Sequence, residues 1–99
     1  MITVVARIIA RKGCEDKLRA ELHKLVAPTR IEKGCINYDL HESESEPGNF
    51  LFYENWVTKK DVEIHLVSNH VASVFKNAEA FLAKPVELTY WNMLSKAAK

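Results

Sequence analysis

Glu54, Trp56, His65 and His70 are the side chains in this sequence whose types and spacing could do chemistry. A histidine has an ordinary pKa of about 6.5, so His65 or His70 could take or give a proton at neutral pH. Glu54 falls in the stretch Phe50–Val57, on the strand face that also carries Phe50, Phe52 and Trp56. A carboxylate among aromatics is costly to bury without a partner, and Arg7 or Arg30 is the cation the sequence offers it. Each residue also has a plainer reading. His65 could be a satisfied, half-buried histidine, His70 a cap at a helix start, and Trp56 a core residue. Tyr53 and Asn55 add hydrogen-bond donors beside Trp56. Strand alternation puts both on the face opposite Trp56, so not all three can line one pocket. His23 and His41 have no companions and read as surface or rim positions.

A metal site is weakly supported. His65 and His70 would diverge by about 140° on one continuous helix, unlike the i, i+4 pair of a zinc helix. A helix break at Ser68-Asn69 could bring them together, but no third ligand is evident, so no metal is expected. The glycines, Gly13, Gly34 and Gly48, are scattered and form neither GxGxxG nor a phosphate loop. Neither cysteine sits in a nucleophile motif and no serine sits in a GxSxG elbow. No cofactor is expected.

The elements that must position these residues are readable from period and breakers. Ile2–Arg11 is β-branched and reads as a strand, ended by Lys12-Gly13. Glu15 and Asp16 open a helix whose stripe is Leu18, Leu22, Leu25, Val26 and Thr29; Pro28 should end or kink it. After the Lys33-Gly34 break, Cys35–Glu42 and Phe50–Val57 read as an antiparallel hairpin around the turn-rich Ser43–Asn49. Thr58 is a helix cap with Asp61 three residues on. Ser68-Asn69 starts a second helix, which runs through Val71, Val74, Phe75, Ala78, Phe81 and Leu82 to Pro85. Val86–Leu94 is the last strand. The order β-α-β-β-α-β is the split βαβ arrangement, an α+β fold with a four-stranded antiparallel sheet and both helices on one face. The domain is expected over 1–95, with a frayed tail at 96–99.

The sheet's second face lacks the polar alternation of a solvated face: Val5 and Ile9, Leu51, Tyr53 and Val57, Trp91 and Met93 all fall there. An apolar face that size is unusual on a monomer, so a homodimer is expected.

Composition excludes several classes. Ninety-nine residues make one domain, and a formal net charge of +1 offers no basic patch for nucleic acid. The apolar start is broken by Arg7 and has no small-residue cleavage site, so no signal peptide is expected there. No run approaches the roughly 20 apolar residues of a membrane span. Cys14 and Cys35 show no disulfide framework, which favours a reducing, cytoplasmic setting.

The pattern E-x-W-x8-H-x4-H, from Glu54 through Trp56 and His65 to His70, resembles the signature of the antibiotic biosynthesis monooxygenase (ABM) family. Arg30–Tyr38 (RIEKGCINY) is similar to that family's middle, and the likeness spans Ile2 to about Leu94. Two departures are visible. Arg11-Lys12-Gly13-Cys14 lacks the proline often found before that glycine. Strand one lacks the asparagine of the haem-degrading members, so haem chemistry is not expected. The resemblance implies a ferredoxin-like subunit, a dimeric α/β barrel, and oxidation of small aromatic, quinol-like substrates by O2 without metal or flavin. On that reading His65 is the general base or substrate anchor, Trp56 a pocket wall, and Glu54 and His70 supporting groups, with Tyr53 and Asn55 as further pocket candidates. Two other readings stay open. One is an isomerase acting on a small phosphorylated, sugar-like signal, as in the autoinducer-2 processing branch, with Arg7 or Arg30 meeting the phosphate. The other is a non-catalytic ligand-binding dimer.

Overall fold

The computed structural model describes residues 1–98. It contains β1 (Ile2–Ile9), α1 (Glu15–His23), α2 (Val26–Arg30), β2 (Cys35–Glu42), β3 (Asn49–Trp56), α3 (Lys59–Leu66), α4 (Asn69–Ala78) with a following 3-10 turn (Glu79–Phe81), and β4 (Glu87–Trp91). The strands form one antiparallel sheet in the order β2-β3-β1-β4. This is the expected ferredoxin-like α+β arrangement, with each helical segment divided in two.

The first strand stops two residues earlier than its composition suggests. Ala10 leaves the ladder to bridge Leu82, and Arg11 N–H donates to Phe81 O at 2.8 Å. The first helical segment breaks ahead of Pro28. Lys24 and Leu25 close α1 with 3-10-type bonds to Glu21 O and Leu22 O, and Pro28 is the third residue of α2. There its missing N–H falls among first-turn donors that have no intrahelical partner in any case. The second break falls where the sequence places it. Thr58 Oγ1 accepts from Asp61 N–H at the start of α3, and Ser68 Oγ accepts from Val71 N–H at the start of α4. Of the tail 96–99, residues 96–98 are exposed and outside any element, and Lys99 lies outside the described residues.

All the helices lie on one face of the sheet. Val4, Ala6 and Ile8 of β1 and Phe50, Phe52 and Trp56 of β3 pack there against Leu18, Leu22, Leu25, Val62, Val74 and Ala78. The other face is more polar than expected. Besides Val5, Leu51, Tyr53 and Trp91, the register places Thr3, Arg7, Asn37, Asp39, Asn55 and Thr89 on it. Thr3 Oγ1 donates to Asn55 Oδ1, Asn55 Nδ2 donates to Asn37 Oδ1 (2.9 Å), and Asn37 Nδ2 donates to Asp39 Oδ2 (3.1 Å). Cys14 and Cys35 are free thiols. No helix among the described residues is long and apolar enough to cross a membrane.

Candidate active site

His65 is presented by the inner side of α3 and is only 3% exposed. Its Nδ1 lies 2.6 Å from Glu32 Oε2. Glu32 comes from the turn between α2 and β2, brought in by Gly34, whose φ of +83° only glycine adopts readily. The helix break after Val67 swings His70 to the same carboxylate oxygen, 2.9 Å from its Nε2, with Ser68 Oγ 3.3 Å from that nitrogen. The hydrogen-bonded set Glu32–His65–His70 thus joins three segments, and Glu32 is the member not singled out by its residue type and spacing.

Burial pushes the His65 pKa down, and the hydrogen bond to Glu32, followed by its charge, opposes this without overcoming it. A neutral imidazole beside a carboxylate places its proton on Nδ1, donating to Glu32, and leaves the Nε2 lone pair free. That nitrogen has no hydrogen-bond partner among the described residues. The ring is held between Trp56 (centroids 4.9 Å apart) and Tyr38 (5.3 Å).

His65 also lines a recess of about 50 Å³ between the helices and the sheet, together with Glu54, Tyr38, Phe52, Ala6 and Ile8. Its remaining walls, Leu66, Val71, Phe75, Val86 and Leu88, also border a wider apolar groove of about 450 Å³. None of these linings includes a lysine or arginine. A flat apolar molecule could lie in the groove with one end in the recess.

Glu54 is 3% exposed. Among the described residues no ion pair compensates it, and neither arginine the sequence offers reaches it. Arg7 stands on the opposite face of the sheet, opposite Leu51, and Arg30 is committed to Tyr38 O and Asp39. Its bond is instead from Trp56 Nε1–H to Oε1, at 2.9 Å. Burial raises the Glu54 pKa to about 7; the Trp56 bond pulls it down and the negative charge of Glu32 adds to the rise. Burial, followed by the Glu54 charge, also raises the Tyr38 hydroxyl above its ordinary value.

Trp56, Glu54, His65 and His70 are therefore brought together, with Trp56 fully buried as both core and support. Tyr53 and Asn55 are not. They lie on the other face, where Tyr53 is 40% exposed and Asn55 is held in the polar chain, so neither lines the recess. The missing third metal ligand is also present in Glu32: its carboxylate and the two ring nitrogens lie within 4.8 Å of one another. With Glu32 accepting from both rings at 2.6 and 2.9 Å, a metal would have to displace a proton from each ring.

The chain matches the family model described as antibiotic biosynthesis monooxygenase over residues 1–77. It belongs to that family. A Mycobacterium tuberculosis relative, Rv0793, provisionally named a monooxygenase, is 31% identical over 97 residues, 98% of this chain and 95% of that protein. The solved structure of Rv0793 superposes with a TM-score of 0.89 over 98% of both chains. PA3566 of Pseudomonas aeruginosa gives a TM-score of 0.89 at 33% identity, over 95% of this chain and 94% of that one. YcnE of Bacillus subtilis, also provisionally named a monooxygenase, is 25% identical over 89% of this chain and 93% of its own. In this family member the recess residues Ala6 through Phe75 lie within the matched region, whereas Val86 and Leu88 lie beyond it.

Proposed function

We propose that this family member is a monooxygenase that oxidises a small, quinol-like aromatic with O2 and no bound cofactor, working as a homodimer. The observation that carries the reading is His65, whose Nδ1 is engaged by Glu32 while its ring lines an apolar recess. A group so arranged can remove a phenolic proton through Nε2. The resulting phenolate is a far better electron donor to O2 than the phenol. One oxygen atom then enters the ring and the other leaves as water, with all the electrons drawn from the substrate. The apolar walls exclude water from the reactive anion.

Oxygen uptake on a panel of quinols tests this. His65→Ala should lower turnover at least tenfold while the fold is kept, since a positioned base contributes about 100- to 10,000-fold. Full activity of His65→Ala on every accepted substrate would remove the base assignment. Absence of oxygen uptake by the wild type would leave binding without oxidation. The phosphorylated-substrate reading is disfavoured, because neither Arg7 nor Arg30 reaches the recess and no other cation lines it.

A further inference from the structure

Glu54 is unexplained by its structural surroundings. A carboxyl buried among Phe52, Tyr38 and Trp56, with no cation, destabilises a fold relative to a neutral group of the same shape. The Trp56 indole needs one acceptor, which an amide would supply as well. Trp56 occupies Oε1, and Oε2 has no hydrogen-bond partner among the described residues. The carboxyl nevertheless lines the same recess as His65.

We propose that Glu54 is a second catalytic residue, whose free oxygen Oε2 accepts a proton from one substrate hydroxyl while His65 Nε2 accepts one from another, so that the pocket takes uncharged aromatics with two ionisable hydroxyls. This rests on the reading in the preceding subsection and adds to it a second base and a preference for the uncharged form of the substrate. In the step, one O–H bond of the substrate breaks, its electron pair stays on the substrate oxygen, and a new O–H bond forms on Glu54. No electrons change hands. Removing both protons leaves the arene as its dianion, the state richest in electrons for O2. With Glu54 ionised and no cation in the lining, a substrate arriving as an anion is repelled, whereas a neutral dihydroxyarene is not.

The groups around Glu54 fit a proton acceptor. From β2 it faces Tyr38, its cross-strand partner, and Cys35 near Trp56. From β1 it faces Val4, with Tyr90 of β4 beyond, and from α3 it faces His65. Glu32, bridging to His70 of α4, adds the nearest negative charge. That charge and burial keep the carboxyl near half-ionised around neutral pH, where it can both accept and release a proton.

Glu54→Gln preserves the carbonyl that Trp56 bonds and removes the proton acceptor. The probe is unsubstituted hydroquinone, neutral at pH 7–8, whose phenol and phenolate forms differ in ultraviolet absorbance, titrated anaerobically so that no oxidation is needed. The wild type should bind it one ionisation step further deprotonated than Glu54→Gln at the same pH. In turnover, Glu54→Gln should lower kcat at least tenfold with little change in KM. It should also erase a pH limb near the raised Glu54 value of about 7. Identical bound spectra and an unchanged pH profile would overturn the proposal. Should the variant fail to fold, infrared spectroscopy of the wild type decides at pH 8. Appearance of a protonated carboxyl on probe binding supports it, and persistence of the carboxylate overturns it. A wild type that consumes no O2 with any quinol defeats the monooxygenase reading but leaves the spectral test of Glu54 intact.

Discussion

Glu32 decides which nitrogen of His65 is available. With Nδ1–H bound to its carboxylate, the imidazole presents Nε2 and cannot easily flip, because Trp56 and Tyr38 pack against the ring. Glu32→Gln should lower kcat about tenfold or more with the protein still folded. Because the Glu32 charge raises the His65 pKa, its removal should move the acid limb of the pH–rate profile to lower pH. Partial recovery in Glu32→Asp would confirm a positioning role, and an unmoved limb would exclude it. Glu54 makes a second residue-scale prediction, on stability. Its pKa is about 7 in the folded chain against an ordinary 4.5. Between those values the unfolded chain has already lost the proton that the folded chain keeps. Folding stability from this group therefore falls as pH rises through that window, by about 3 kcal/mol at most. Glu54→Gln has no such loss. Its melting temperature should exceed that of the wild type at pH 8, and the difference should shrink toward pH 5. An equal gap at both pH values would mean the carboxyl is not held protonated by burial.

The elements around the site were largely legible because their signals are local. Thr58 and Ser68 are caps by residue type, and both cap helices. The alternation of Phe50, Phe52, Glu54 and Trp56 put those four on one face, and all four are buried. Glu32 was not legible in this way, since its partner is His65, 33 positions away, and nothing local marks it. The one trace lay in the stretch Arg30–Tyr38, which contains it. The position of the first helix break was missed for a related reason. Pro28 is disruptive only beyond the first turn, and α2 begins just two residues before it. Gly34 ties these segments together. A Cβ there would fall 2.1 Å from Asp61 Oδ2 in the first turn of α3, at a φ of +83°. Gly34→Ala should cost roughly 1–2 kcal/mol for the backbone alone, and displacing Asp61 should disturb the Thr58 cap and so the presentation of His65. Urea unfolding should show the loss, with a fall in kcat larger than that of Thr58→Ala, whose cap is worth about 1 kcal/mol. Wild-type stability in Gly34→Ala would show that the turn can rearrange freely.

At the scale of the molecule, the surface itself is the informative quantity. A folded monomer of this mass exposes roughly 5,700 Å², whereas this chain exposes 6638 Å². Part of the exposed apolar surface lies at the end of β4 and just after it. Trp91 is 58% exposed, Met93 48% and Leu94 97%. The sequence led to the open sheet face by overstating its apolar character, because the contribution of β2 and the polar positions of β1 were left out of the pattern. Four of the polar residues there do not oppose an interface. Thr3, Asn55, Asn37 and Asp39 bond one another, so a partner could cover them without stranding a donor or acceptor. Val5, Leu51, Tyr53 and Trp91 surround them with apolar surface. A second copy packed about a two-fold axis covers the same patch on both chains at once. Light scattering at micromolar concentration should therefore give about twice the chain mass of 11.3 kDa. Trp91→Lys, which places a charge on the open face away from the recess, should shift the particle toward monomer. A wild-type monomer at that concentration would exclude the dimer, and a Trp91→Lys dimer as tight as the wild type would place the interface on another surface.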